Sequence, residues 1–273
     1  MNNTNKKQIE SQIDFFNRNA LHKHDKYFLP TNAFDWYAIK PVLRAMKFIY
    51  SSAQDYVLLD YGCGIGDSIE IFKISNGQFP NRLVGLDISS NAISEISTRY
   101  DYDFFHIDVE TGLQELGLNV DAAYMIHVLH HAVNHKKIID DLCNSIKPDG
   151  KLVIVDIGSK NPFQEIGRKI FSLLPKKIKN KFQDDLLIDG EIPEKLPVDI
   201  KKIQNYLTEK GFITELTYSS SFIFIFGWLF KILNIKFDKD SPTINFFFKI
   251  DDWFSNKVFK EYSVLYLIEA KRA

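Results

Sequence analysis

The chain has 273 residues, 45% of them hydrophobic, with 34 basic against 35 acidic side chains and a formal net charge of −1. That length is enough to bury a core in one large α/β domain without staples, and the charge balance excludes a surface built as a whole to hold nucleic acid. The opening MNNTNKKQIESQ lacks the apolar run of a secretory signal and no later stretch reaches the ~20 apolar residues of a membrane span, so the expected setting is the cytoplasm.

In chain order, SQIDFFNRNA and AIKPVLRAMKFIY read as helices packed beside a first strand, YVLLD (56–60), which runs into glycines. DSIEIFKIS follows as a helix, RLVGLD (82–87) as a second strand, and SSNAISEISTRY as a helix capped by Ser89 or Ser90. DFFHIDV (103–109) and VDAAYMI (120–126) are the next strands, HKKIIDDLCNSI is a helix entered near Asn134, and GKLVIVDIG (150–158) is a fifth strand after the turn KPDG. Such alternation implies parallel strands with helices on both faces, because a right-handed crossover needs a helix to bring the chain back. Beyond Gly158 the pattern fails over 159–198, an insertion; the helix VDIKKIQNYLTEK, stopped by Gly211, then leads to the strand FITELTYSS, and YSVLYLIEAK closes the chain. A second, apolar insertion spans 220–260. Cys63 and Cys143 are too few for a disulfide framework and lack metal-ligand spacing, so both read as free thiols.

The stretch VLLDYGCGIGDS (57–68) places Gly62, Gly64 and Gly66 after a strand. The dinucleotide fingerprint G-x-G-x-x-G would put its third glycine where Asp67 stands, and Asp60 adds a second carboxylate. Two unit charges ~4 Å apart at an effective dielectric of ~20 interact by roughly 4 kcal/mol, which repels a pyrophosphate and attracts a cation. S-adenosylmethionine, with a sulfonium, an ammonium, a ribose and no phosphate, suits such a loop.

DYGCGIG (60–66) resembles the first motif of the class I S-adenosylmethionine-dependent methyltransferases, in the branch of the methyltransferase type 11/12 domains. LVGLDIS resembles their second motif, HIDVE their third, DAAYMIHVLHHA their fourth, and IKPDGKLVIVDIG the segment after it, all in order over about 55–158. The resemblance implies a single Rossmann-like α/β domain with a seven-stranded sheet in the order 3-2-1-4-5-7-6, the last strand antiparallel, and helices on both faces. Residues 1–50 would form a helical lid, 51–158 the cofactor-binding core, and 199–273 the C-terminal part of the sheet, with the two insertions near the active-site edge. It also implies S-adenosylmethionine as cofactor. Asp60, Gly62, Cys63, Gly64 and Gly66 would receive its amino-acid end, Asp87 and Ile88 its ribose, and Asp108, Val109, Ile126 and His127 would border the rest.

Methyl transfer is an in-line displacement, so the protein's main task is positioning. A hydroxyl acceptor also wants a base, sought at the C-terminal edges of the fourth and fifth strands. His127 is the first choice there, with a pocket-shaping role as its alternative; His131, which by the resemblance can instead be structural, and Asp156, which can equally cap a loop, are the other catalytic candidates, and Asn161 is a further acceptor contact. His130 and His135 read as exposed or capping residues. No metal is expected, because His127, His130 and His131 lie at a strand-to-loop junction without a Cys or Glu to complete a set. Tyr27 and Tyr37 belong to the lid or to the core.

Acceptor specificity is expected in the insertions. IGRKIFSLLPKKIKNKF mixes six basic residues with apolar ones and no acid, the pattern of a segment meeting anionic headgroups, and FIFIFGWLFKIL with INFFFKIDDWF would roof an apolar pocket. The reading is therefore a methyltransferase for a small, apolar or lipid-linked acceptor, of the kind found in surface-polysaccharide, lipid or quinone biosynthesis. It would contact an anionic membrane peripherally and bind no nucleic acid. A non-catalytic cofactor-binding scaffold or sensor and a nicotinamide-dependent oxidoreductase are the alternatives.

Overall fold

Seven strands form one sheet in the computed structural model, which describes residues 3–22, 33–107, 113, 116–158, 173, 198–219 and 242–273. They are β1 (Val57–Tyr61), β2 (Arg82–Asp87), β3 (Asp103–His106), β4 (Val120–Ile126), β5 (Ile146–Ile157), β6 (Phe212–Ser219) and β7 (Leu265–Arg272). Their order is β3-β2-β1-β4-β5-β7-β6, with β7 antiparallel to both neighbours and the pairs from β3 to β5 parallel. This is the order expected from the resemblance. The order reverses direction between β1 and β4, and the crevice at such a switch point is where open sheets bind ligands.

The inner strands are apolar on both faces because helices cover both. Leu58 and Leu59, adjacent in β1, enter different cores. Leu58 joins Tyr124 and Val153 against α3 (Lys40–Ile49) and α4 (Asp67–Asn76), through Met46, Ile49, Ile69 and Phe72. Leu59 joins Met125 and Ile154 against α6 (His135–Ser145) and α7 (Ile200–Glu209), through Ile139, Leu142, Ile203 and Leu207. Truncating such a leucine to alanine costs about 2–5 kcal/mol, since the surroundings refill the hole only in part. The helix starts are locally encoded: Ser89 accepts from Ala92 N–H at the entry to α5 (Ser90–Arg99), Asn134 from Lys137 N–H at α6, and Asp199 from Lys202 N–H at α7.

Several elements differ from their sequence-based bounds, the first helix among them, which begins at Asn3. β5 begins at Ile146, because Ile146 pairs with Val120 before the register jumps to Ala122↔Lys151; KPDG is thus a bulge inside the strand, with Asp149 at φ 61°. β3 ends at His106, and residues 108–109 lie outside the described part. Within the second insertion, 242–257 form a helix, α8 (Pro242–Lys257), whose Asn256 side chain bonds both the carbonyl and the N–H of Tyr218 on the edge strand β6. Of the first insertion only Leu173 is described before 198, and it is exposed. Asn161, Tyr27 and the remainder of the basic segment lie outside the described residues.

Two further helices lead into β1. α1 (Asn3–His22) lies on α5 and the glycine loop: Asn17 Oδ1 accepts from Ser89 Oγ at 2.8 Å, Asn91 Nδ2 donates to the Asn17 carbonyl at 3.0 Å, and Ala20 packs with Ile65 and Ala92. α2 (Ala33–Ala38) carries Tyr37, which is buried, stacked on Phe248 at 4.2 Å, and hydrogen-bonded to Asp251 and Asp252 of α8. Tyr37 therefore ties α2 to α8 rather than standing open over the sheet.

Candidate active site

The C-terminal ends of β1, β2 and β4 converge on the glycine loop. Gly62 N–H and Cys63 N–H both donate to the Leu86 carbonyl, at 2.7 and 3.0 Å, which folds the loop back over the end of β2. Gly62 (φ 81°) is required twice over: the left-handed backbone disfavours a side chain, and a Cβ there would stand 2.3 Å from Val128 Cγ2. Gly64 (φ 51°) is different, since a Cβ on it would meet nothing within 4 Å. Its open side is a cradle against bare backbone, as close approach of a ligand requires.

Two carboxylates stand at the ends of the strands that carry this loop, and one of them, Asp87, bonds Gly64 directly. Asp60 is 1% exposed, and its Oδ2 accepts hydrogen bonds from Ser68 Oγ and, at 3.0 Å, from Tyr124 OH. Burial pushes its carboxyl up to about 7, against the pull of those two donors and with help from the charge of Asp87. Asp87 accepts from Gly64 N–H at 2.8 Å through Oδ2 and from Ser89 N–H at 2.8 Å through Oδ1. Burial raises it too, despite these backbone donors. Each carboxylate oxygen has a second lone-pair direction, so Asp87 can still accept from two hydroxyls while holding the loop. A buried and a half-buried acid, both shifted upward, are costly to ionise alone and are relieved by a cation, so the donor set fits a nucleoside with a cationic tail and opposes a phosphate.

The remaining expected cofactor residues fall around the same edge. Cys63 is buried, with its thiol pushed up by burial, as is Cys143. Ile88 follows Asp87, is half-buried, and its carbonyl lies 3.1 Å from His106 Nε2. Ile126 is the half-buried last residue of β4. Asp108 and Val109 lie outside the described residues. Ser68 and Tyr124, which hold Asp60, were not singled out in the sequence. Tyr124 was legible as the inward residue of β4 opposite Asp60, a pair the register makes.

The histidines divide into separate roles. His127 stands just past β4 with φ 58°, exposed, its N–H bonded to the Val155 carbonyl at 2.8 Å. His130 is not exposed, contrary to its sequence-based reading: it is 5% accessible, and its Nδ1 lies 2.5 Å from Asp156 Oδ1. Asp156 is fully buried and also accepts from Leu129 N–H and Ile157 N–H, each at 2.6 Å. Burial would raise its carboxyl, but the bond to His130, the nearby His130 and His127 rings and the Ile157 N–H outweigh it and hold the group below its ordinary range. His131 is half-buried between Phe16 of α1, edge-on at 5.2 Å, and His130, 3.8 Å away. His135 Nε2 donates to the Leu129 carbonyl at 2.8 Å and so pins the same turn.

Sheet order, glycine cradle and paired acids together define a class I methyltransferase fold. A family model described as a methyltransferase domain matches residues 20–184, more than half of the sequence. The chain belongs to this family of S-adenosylmethionine-dependent methyltransferases. No curated protein matches the sequence. Among solved structures, it is similar to the plantazolicin methyltransferase BpumL in complex with a desmethylPZN analog and S-adenosylhomocysteine, at 14% identity, TM-score 0.55, and coverage of 99% of this chain and 98% of that one. It is similar also to magnesium protoporphyrin IX methyltransferase from Synechocystis PCC 6803 with bound S-adenosylhomocysteine, at 14% identity, TM-score 0.57, and coverage of 97% and 100%. An S-adenosylmethionine-dependent methyltransferase from Archaeoglobus fulgidus is 18% identical with TM-score 0.52 over 86% and 93%. At such identities these are likenesses of fold.

Proposed function

We propose that this methyltransferase holds S-adenosylmethionine in the Gly64 cradle and passes its methyl group to a small, apolar or lipid-linked acceptor at an anionic membrane surface. For the donor, Asp87 would accept the ribose hydroxyls, Asp60 would face the cationic amino-acid end, and Ile88 and Ile126 would border the ring system. When bound, the donor supplies a methyl group already activated on a sulfonium. The chain's own task is to seat the acceptor in line with it, beside His127 at the end of β4.

The observation that carries the acceptor class is the inverted polarity of α8. Its polar residues Asp251 and Ser255 are 2% and 0% exposed, whereas Phe246, Phe247 and Trp253 are 61%, 43% and 55% exposed. Val258 and Tyr262 continue the exposed aromatic and apolar surface, and Lys249, Lys257 and Lys260 are exposed among them. A helix that turns aromatics outward among lysines suits the interface of an anionic bilayer, where rings enter the headgroup layer and ammonium groups meet phosphates. Among the described residues no helix is long and apolar enough to cross a membrane, so the contact proposed is peripheral. The test is methyl transfer from labelled S-adenosylmethionine into a total cell lipid and glycolipid extract. Label in the organic phase, enhanced by vesicles containing anionic lipid, supports the reading; label confined to water-soluble acceptors rejects the lipid part.

A further inference from the structure

We propose that His130, oriented by Asp156, takes the acceptor's proton during methyl transfer. This rests on the methyltransferase reading and adds to it the chemistry of the acceptor: a hydroxyl or other protic group that must lose a proton. The register of the sheet makes the pair. Ile126 of β4 lies opposite Val155 of β5, so the turn that follows β4 passes directly beside Asp156. Asp156 is fixed by Leu129 N–H on Oδ2 and Ile157 N–H on Oδ1, and His130 Nδ1 completes the set at 2.5 Å.

A carboxylate accepts, so Nδ1 of His130 carries the hydrogen and Nε2 is left with its lone pair. That is the tautomer a proton acceptor needs, and Nε2 has no hydrogen-bond partner among the described residues. Once Nε2 gains a proton, the buried carboxylate 2.5 Å from the other nitrogen stabilises the imidazolium. His127, whose ring centroid lies 6.2 Å from that of His130, is exposed beside it. In the transfer the acceptor's lone pair forms the bond to the methyl carbon, and the bond from that carbon to sulfur breaks with its electron pair staying on sulfur. The acceptor's proton goes to Nε2 and afterwards to water. The step needs no further co-reactant.

The same three residues suggest a cation site, since His127, His130 and Asp156 each offer a ligand atom within 4.8 Å of one another. Ligands bound ~2.1 Å from one cation stand about 3 Å or more apart. Here Nδ1 and Oδ1 are 2.5 Å apart, and both Asp156 oxygens already receive N–H donors. The geometry is that of a hydrogen bond from His130 Nδ1–H to the Asp156 carboxylate.

The test uses the full chain, methyl-labelled S-adenosylmethionine and the lipid extract, with donor Kd measured by equilibrium dialysis on each variant. His130→Gln is expected to keep its donor Kd within about twofold and to lose label incorporation by about a hundredfold or more, the ordinary worth of a general base. Incorporation within threefold of wild type overturns the proposal, as does wild-type transfer that stops with chelator and returns with zinc or manganese. Nuclear magnetic resonance of histidine-¹⁵N-labelled protein at pH 8 decides independently of any acceptor. His130 is expected to carry its hydrogen on Nδ1, and Asp156→Asn, which sets an amide N–H₂ against an N–H donor, is expected to move that hydrogen to Nε2. A wild-type His130 protonated at Nε2 overturns the proposal. If the wild type binds donor but labels nothing in the extract, the lipid acceptor falls and the tautomer measurement still decides the dyad.

Discussion

Lowering the pH from 8 to 6 is expected to weaken S-adenosylmethionine binding about tenfold. The cause is Asp60, whose burial lifts its carboxyl from the ordinary 3.8 to about 7, with Ser68 and Tyr124 opposing the shift. A cationic tail is attracted by the ionised form alone. With a titration midpoint near 7, about nine-tenths of the molecules are ionised at pH 8 and about one-tenth at pH 6, so the apparent affinity falls in that ratio. The sign for stability runs the other way: a folded-state value raised above the unfolded one favours the ligand-free fold at low pH, and that contribution is lost between roughly pH 4 and 7. Equilibrium dialysis with labelled donor from pH 5.5 to 8.5 measures the effect. Asp87 is raised by burial in the same direction, so Asp60→Asn is the control and should remove most of the dependence. Binding that is unchanged or tighter at pH 6 in the wild type, or an equally steep profile in Asp60→Asn, refutes the assignment of the cationic end to Asp60.

Asp87→Ala removes the acceptor proposed for both ribose hydroxyls and releases the Gly64 and Ser89 N–H groups; at about 1.5–3 kcal/mol for a hydrogen bond to a charged group, donor Kd should rise a hundredfold or more, and a rise under fivefold would contradict the proposed role. Gly62→Ala puts a Cβ 2.3 Å from Val128 Cγ2 at φ 81°. Strain and overlap together should cost about 2–4 kcal/mol in urea unfolding, with Val128→Ala restoring part of it; no recovery in the double variant would place the cost elsewhere. Replacing Phe246 and Trp253 with alanine should leave stability within about 0.5 kcal/mol, as both are exposed, and weaken sedimentation with anionic vesicles about tenfold at low salt; unchanged sedimentation would remove α8 from the membrane contact.

The meeting of Asp60, the close glycines and Asp87 at one sheet edge was legible because it follows from local rules. A strand ending in Asp60, close glycines, and an acid at 87 after a second strand need only the alternation of strands and helices to be brought together. Helix starts at Ser89, Asn134 and Asp199 are likewise local chemistry. The pairing of His130 with Asp156 is not local: 26 positions separate them, and only the β4–β5 register brings the turn after Ile126 against the residue after Val155. Without it a histidine in a turn reads as exposed. INFFFKIDDWF reads as an apolar pocket roof and not as a helix with its aromatics outward for the opposite reason, since hydrophobic periodicity assumes apolar residues face inward. In INFFFKIDDWFSNK the inward residues include Asp251, held by Tyr37, and Ser255, so the pattern points the wrong way.

The crevice between Asp60 and Asp87 is expected to take a nucleoside bearing a cation and to refuse one bearing phosphates. Calorimetric titration of the full chain at pH 8 with S-adenosylmethionine and, separately, with NADH tests it most directly. One-site micromolar binding of S-adenosylmethionine and no heat from NADH are expected; micromolar NADH binding without a response to S-adenosylmethionine would contradict this selectivity.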